Sequence, residues 1–268
     1  MIKNITLGQY IPGDSSVHRL DPRTKITICF LFMVSIFLIN NFIGYALTLL
    51  FLWGIISISK LKFKYVYRGL KPIFVLLMLT AVINMLMIRG TGEPLISIWI
   101  IKVYKEGIIR ALFMVTRLIL LILGTSILTL TTSPIELTDG IEKLLSPFKK
   151  VGVPAHELAM MMTIALRFIP TLMDETDKIM KAQMARGVEL DTGSLINKAK
   201  NLIPILVPLF ISSFRRADEL AVAMEARAYR GGEGRTRMKI LKRTKADYVA
   251  TGIFLLFAAV AIGTRFVI

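Results

Sequence analysis

The sequence predicts an all-α, polytopic membrane protein with about five transmembrane helices and a cytoplasmic region of long helices. Three observations carry this. Of 268 residues 54% are hydrophobic, and the mean hydropathy of +0.65 is well above that of an ordinary soluble chain. Uncharged apolar runs near the roughly 20 residues that cross a bilayer recur at both ends of the chain. Lysine and arginine cluster between these runs in a sided pattern.

The first 23 residues are polar and turn-rich, with the breaker pairs Pro12-Gly13 and Asp21-Pro22 and no apolar core or small-residue cleavage site. Insertion is therefore expected to begin with the first span. His18 reads as a packed turn histidine. Residues 24–40 and 41–59 are two apolar runs divided by the polar turn Ile39-Asn40-Asn41. Residues 70–88 give the third span, 108–132 the fourth and 248–262 the fifth, which Gly263 to Ile268 completes.

Sidedness follows from the short connections. The loop between the second and third spans carries Lys60, Lys62, Lys64, Arg68 and Lys71, whereas the turn between the first two carries none. The N-terminus carries Lys3, Arg19, Arg23 and Lys25 and is expected to be cytoplasmic, so four crossings return the chain inside at residue 133. Arg89, Lys102 and Lys105 run against the rule in the external segment, where Glu93 and Glu106 lie nearby. Its stretch EPLISIWIIKVYKEG reads as a partly embedded hairpin or an amphipathic piece rather than a sixth span. The organisation expected is residues 1–132 as an N-terminal segment with four spans, 133–247 as helices in the cytoplasm or at the membrane boundary, and 248–268 as a last span.

Region 133–247 holds most of the charge. The formal net charge of +16 follows mainly from membrane sidedness and headgroup contact, and the basic tail from Arg230 to Lys245 is read the same way, so no nucleic-acid partner is expected. Three helices are legible. Ser133 as N-cap, Pro134 at the first helical position and Glu136 open the first as a capping box, and Pro147 kinks or ends it. The second is almost continuously apolar up to Pro170, with Arg167 interrupting, and then amphipathic with Asp174, Glu175, Asp177, Lys178 and Lys181. The third repeats the scheme, with Pro204 and Pro208 in its apolar half and charge from Arg215 onward. The prolines place bends in these helices or are tolerated kinks near lipid.

The last two helices resemble each other at their ends. With Ala185 set on Ala226, Asp177 falls on Asp218, Ile179 on Leu220, Ala182 on Ala223 and Arg186 on Arg227. A cation in a last turn complements the helix dipole, and Gly187 and the pair Gly231-Gly232 suit positions past a helix end. The same small-Arg pairing at two ends of one region argues for more. A small neighbour lets a foreign surface approach, and arginine offers five fixed donors to carboxylates or carbonyls.

Three stretches carry a family resemblance: GQYIPGDSSVHRLDPRTKI, LLSPFKKVGVPAHELAMMMTIALRFIPTLMDETDKIMKAQMARG and LIPILVPLFISSFRRADELAVAMEARAYRGG. Together they resemble the transmembrane T component of energy-coupling-factor transporters, importers of vitamins and metal ions of the ATP-binding-cassette type, along essentially the whole chain. The resemblance implies a cell-membrane protein of a prokaryote, with two long coupling helices each ending in an X-Arg-X motif that docks in a groove of an ATPase subunit. The matching positions are Ala185-Arg186-Gly187 and Ala226-Arg227-Ala228. It also implies a small membrane-embedded S component as substrate-binding partner, and ATP and Mg used by the two ATPases, with no cofactor on this chain. The second triplet ends in alanine, where glycine or serine is also common in the family; no loss of docking is expected.

Two arginines invite a role of their own. Arg117 lies mid-span, and an arginine deep in a bilayer is functional or paired. No acid occurs in the five spans, so backbone carbonyls, a hydroxyl such as Thr116, or water are the partners expected inside the bundle, unless the side chain snorkels to an interface. Arg167 is matched to Glu157 or Asp174, about three and two turns away along the helix, through another element. Cys29 alone excludes a disulfide within the chain, and His18 and His156 cannot by themselves make a metal site. No GxxxxGK[ST], HExxH or nucleophile elbow is present, so the chain reads as a non-enzyme whose energy comes from partners. A stand-alone secondary transporter is the rival, but that class places ionisable groups and broken helices at the bilayer midplane. Here Arg117 is the one charged residue in the middle of a span, the other span cations, such as Lys25, Lys71 and Arg110, lying at span ends, and Pro170, Pro204 and Pro208 lie in the cytoplasmic helices.

Overall fold

A computed structural model describes residues 10–88, 96–98, 101–188, 194–231 and 241–267. Arg89, Glu93, Lys3 and residues 232–240 of the basic tail lie outside them. Among the described residues the fold is helical apart from one short hairpin, in which β1 (Ile96–Ile98) pairs antiparallel with β2 (Ile101–Val103) and Ile96 faces Val103. Of the two alternatives for the segment expected to be external, strands 96–98 and 101–103 form the hairpin.

The chain divides into two units, one of Gly8–Ile141 with Ile240–Ile268, the other containing Glu142–Lys239. In the first, α1 (Pro22–Leu38) starts where Pro22 presets the backbone and the Asp21 carboxylate accepts from Arg23 N at 2.9 Å. It stops at the Asn40-Asn41 turn, from which α2 (Phe42–Ile58) departs. The third span begins earlier than its apolar run. The basic loop is itself helical as α3 (Phe63–Leu70), and a single 3₁₀ turn at Pro72 joins it to α4 (Phe74–Met87). Two longer helices follow, α5 (Lys105–Thr131) and, near the C-terminus, α9 (Lys245–Val267). Phe63–Met87, Lys105–Thr131 and Lys245–Arg265 are long and apolar enough to cross a bilayer. With 17 residues each, α1 and α2 stand at the short end of the crossing range.

Both α1 and α2 pack on α5 and on α9, while α3 and α4 lie along α5. The core between them is built from Phe32, Ile36, Ile39, Tyr45, Leu120, Leu130, Phe254 and Ala261. Glycine allows the closest approaches: a Cβ on Gly124 would overlap the Phe32 ring, and one on Gly44 would overlap the Ile39 side chain. Outward apolar side chains such as Phe30, Trp53, Val75 and Leu256 are more than half exposed, as suits a surface solvated by lipid.

Ser133 Oγ accepts from Glu136 N at 3.3 Å and starts α6 (Pro134–Leu145), whose Gly140 faces Pro22 and Ile26 of α1. A 3₁₀ turn containing Pro147 ends this helix. The second unit is dominated by α7 (Ala155–Ala185) and α8 (Leu195–Ala226), 31 and 32 residues long. Each remains a single helix through its prolines, Pro170 in α7 and Pro204 and Pro208 in α8, although each proline deprives the carbonyl four residues earlier of its donor.

Candidate functional site

The ends of α7 and α8 match atom for atom in their hydrogen bonding. In α7, Arg186 is the C-cap, Gly187 follows with φ +86°, Gly187 N donates to Met184 O at 3.0 Å and Val188 N donates to Gln183 O at 3.1 Å. In α8, Arg227 is the C-cap, Ala228 follows with φ +53°, Ala228 N donates to Glu225 O at 2.8 Å and Tyr229 N donates to Met224 O at 3.0 Å. Both are Schellman caps, with the left-handed residue directly after the arginine. The left-handed residue expected at Gly231-Gly232 therefore comes earlier. Ala228 takes the left-handed place, Gly231 follows later with its own positive φ of +85°, and Gly232 lies outside the described residues.

All six residues, Ala185-Arg186-Gly187 and Ala226-Arg227-Ala228, are exposed. Arg186 N and Arg227 N donate to Gln183 O and Met224 O, but among the described residues neither guanidinium has a hydrogen-bond or ion-pair partner. A Cβ at Gly187 would meet no atom within 4 Å, so the surface there is open.

The two caps point away from each other. Tyr229, just past the end of α8, donates its hydroxyl to Met160 Sδ near the start of α7 at 3.0 Å. Further along, the Arg216 guanidinium lies 6.0 Å over the Phe168 ring. Moving up α7 thus means moving down α8, and the pair is antiparallel. From Met160 to Ala185 the α7 axis rises about 38 Å, so the Arg186 cap stands roughly that far from the Arg227 cap.

The other arginines separate clearly. Arg167 is exposed, and among the described residues neither Glu157 nor Asp174 engages it, contrary to the pairing expected. Arg117 is held within its own unit. Its Nε donates to Tyr45 Oη at 2.9 Å, Nη2 donates to Asn40 Oδ1 at 2.9 Å and to Ile39 O at 3.4 Å, and the Phe37 ring lies 5.6 Å beneath it. The expected carbonyl is that of Ile39, and the hydroxyl is Tyr45 rather than Thr116, because α5 presents Arg117 to the α1–α2 turn. Among the described residues no cluster of metal ligands occurs, and His156 instead meets Glu142 at 3.1 Å.

Sequence reading passes over a second polar cluster, in the first unit. Asp21 N donates to Asp247 Oδ1 at 2.8 Å, while Thr244 N and Oγ1 donate to Asp247 Oδ2 at 2.7 and 2.8 Å. Arg23 grips both oxygens of Asp21 at 3.0 and 2.7 Å and donates to Leu241 O, and Lys25 Nζ donates to the carbonyls of His18 and Thr131 at 2.9 Å. Two acids and two bases balance, which makes burying them tolerable. Burial raises the Asp21 carboxyl, but the hydrogen bonds and charge of Arg23 outweigh it and hold the group below the usual carboxylate range. His18 sits beside this knot. The Ile11 carbonyl only accepts, so Nε2 carries the proton at 3.2 Å from it, and Nδ1 accepts from the Ser15 hydroxyl at 2.6 Å. Burial lowers the His18 pKa. The one signal available was the density of polar residues in Asp21-Pro22-Arg23-Thr24-Lys25 at the mouth of an apolar span.

A family model described as cobalt transport protein, CbiQ, matches residues 13–239. The chain is also 63% identical over 265 residues to the energy-coupling factor transporter transmembrane protein EcfT of Clostridium kluyveri, covering 99% of this chain and 98% of that one. The chain belongs to the EcfT family. The EcfT of Thermosediminibacter oceani is 57% identical over 269 residues, 99% of this chain and all of that one, and the EcfT of Bacillus subtilis 52% over 247 residues, 92% and 93% of the two chains. Membership of the EcfT family makes the chain a transmembrane component of an energy-coupling-factor transporter complex, resident in a membrane, and its apolar helices agree with that.

Proposed function

We propose that this chain is the coupling scaffold of a vitamin or metal-ion importer. Ala185-Arg186-Gly187 and Ala226-Arg227-Ala228 dock two cytoplasmic ATPases of the ABC type, and α7 and α8 carry their ATP-driven movement to a membrane-embedded, substrate-binding S component. The observation that supports this reading best is the pair of equal caps at opposite ends of one antiparallel helix pair. One socket cannot receive both ends across about 38 Å of helix, whereas two similar subunits each receive one.

Chemistry fits the same reading. An unpaired, exposed guanidinium presents its donors as a fixed fork to carboxylates or carbonyls in a groove. The small residues on either side let the groove close around it. A long helix transmits displacement because its backbone hydrogen bonds resist compression. ATP and Mg belong to the partners, and this chain supplies no hydrolytic group. Its N-terminus lies in the cytoplasm, on the side of the basic loop that includes Lys60, Lys62 and Lys64.

The test is affinity purification of the tagged chain from its host in mild detergent, followed by mass spectrometry. Two ABC-type ATPases and a small hydrophobic S protein are expected, and the S protein identifies the substrate. A chain that comes down alone even after crosslinking overturns the reading and favours stand-alone transport.

A further inference from the structure

We propose that the first unit holds a binding site for one acyl chain of a membrane lipid, between α1, α2, α5 and α9. A cavity of about 520 Å³ lies there. Its walls follow helical spacing: Lys25, Ile28, Cys29 and Phe32 from α1, with Gly124, Ile127, Leu128 and Thr131 from α5. Leu50, Gly54 and Ile58 of α2 and Val249, Ile253 and Phe254 of α9 complete it.

The helix arrangement explains why it exists. Both α1 and α2 pack on α5 and α9, so they occupy opposite corners of the four-helix group. At one end the Asn40-Asn41 turn ties them together, Arg117 clasps that turn, and Ile36, Ile39, Tyr45 and Leu120 fill the centre. Away from the turn the side chains around the space, among them Phe32, Leu52 and Phe254, line the cavity without filling it.

Its chemistry selects the occupant. The walls are apolar but for Ser16, Lys25 and Thr131 at one end. Water needs two to four polar partners at each position, which such walls do not offer. An unfilled void would forfeit dispersion contacts along every wall. The cavity is bounded by helices whose other faces meet lipid, so the acyl chains of the bilayer are the apolar molecules at hand. At the polar end Lys25 gives two hydrogen bonds, to His18 O and Thr131 O, and an ammonium has three donors. Among the described residues none accepts the third, which leaves it for an ester or phosphate oxygen of the lipid.

The experiment is photo-crosslinking of the full chain, in its complex, in vesicles containing a phospholipid with a photoreactive group midway along one acyl chain, with adducts located by peptide mass spectrometry. Adducts on the buried lining residues Cys29, Phe32 and Phe254 are expected several-fold above those on the outward Phe30, Trp53 and Leu256, which report ordinary bilayer contact. A Cβ at Gly54 would meet no atom within 4 Å, so Gly54→Phe has room to grow and is expected to abolish the inner adducts while sparing the outer ones. Inner adducts no stronger than the outer ones in the unaltered chain overturn the proposal whether or not the variant folds. Inner adducts that persist in a folded Gly54→Phe overturn it as well.

Discussion

Gly187 and Ala228 hold the same place in two helices, one residue beyond a capping arginine and in the left-handed backbone region, at φ +86° and +53°. Only the glycine adopts that conformation without cost, since a left-handed alanine pays about 1–2 kcal/mol. Ala228→Gly is therefore expected to stabilise the end of α8 by about 1 kcal/mol, and Gly187→Ala to weaken the end of α7 by a similar amount. Hydrogen exchange at Tyr229 N and Val188 N, the amides that close the two caps, checks both: slower at Tyr229 in the first variant, faster at Val188 in the second.

Asp247 joins the start of α9 to the start of α1 across 226 residues of chain. Replacing it by alanine strands the buried Asp21 N–H and removes the acceptor that caps α9. An orphaned buried donor costs about 1–3 kcal/mol and a lost cap about 1 kcal/mol, so Asp247→Ala is expected to cost about 2–4 kcal/mol. Asp247→Asn keeps one acceptor oxygen and loses less. Thermal unfolding in detergent separates the two variants, and equal midpoints for both and for the unaltered chain count against the tie.

These two relationships differ in how far the sequence reveals them. Helices α1, α2, α5 and α9 are legible because an uncharged run of that length has few alternatives, and their ends fall within a few residues of expectation. The caps of α7 and α8 are legible as a repeated Ala-Arg pair. Only the left-handed residue past the α8 end is misassigned: glycine is the usual one, and Gly231-Gly232 outweighs Ala228, an alanine that carries strain. The basic stretch from Lys60 to Lys71 reads as a loop because charge masks the amphipathic turn of α3. Asp21 with Asp247, and Arg117 with Tyr45 and Asn40, leave no periodic trace, because pairs brought together by packing have no fixed spacing.

The polar knot beside α1 gives the fold a dependence on acid. His18 has its pKa lowered from the ordinary 6.5 by burial, so the folded form binds its proton less well than the unfolded chain. Its contribution is complete above that value and is lost as pH falls through it. Asp21 also has a lowered pKa, from an ordinary 3.8, so its contribution is complete above that value and disappears as pH falls further. The thermal midpoint is expected to be level near neutrality, to decline below pH 6.5, and to drop again in the acid range below pH 3.8. His18→Gln should flatten the first decline and Asp21→Asn the second. A first decline unchanged in His18→Gln would assign it to another group.

Arg117 ties α5 to the α1–α2 turn through Tyr45 Oη, Asn40 Oδ1 and Ile39 O. Hydrogen bonds to a charged group contribute about 1.5–3 kcal/mol, so Arg117→Met is expected to lower the unfolding midpoint clearly and Tyr45→Phe by less. Lysine carries the charge but not the planar fork, and Arg117→Lys should recover only part of the loss. A cysteine-accessibility scan of residues 39–41, on a background lacking Cys29, gives a second reading: the turn becomes more reactive when Arg117 is replaced.

Arg186 and Arg227 each cap the C-terminal end of its own helix, at opposite ends of the antiparallel pair, and docking can be separated from helix stabilisation there. As cations at a helix end each contributes about 0.3–1 kcal/mol to its own helix, so Arg186→Ala or Arg227→Ala should barely move thermal unfolding. As docking groups each contributes a charge-assisted contact of about 1.5–3 kcal/mol, which is about tenfold to a hundredfold in affinity. A chain held at two points keeps the second contact at high effective concentration when the first is weakened, so either single variant should retain part of its ATPase. Arg186→Ala combined with Arg227→Ala should lose ATPase and transport together, and Arg→Lys at each place should recover little because the fork is missing. The measurement is ATPase co-purification with transport in vesicles for the two single variants and the pair. If the double variant holds its ATPase and transports as well as the unaltered chain, the two caps are structural and the docking assignment fails.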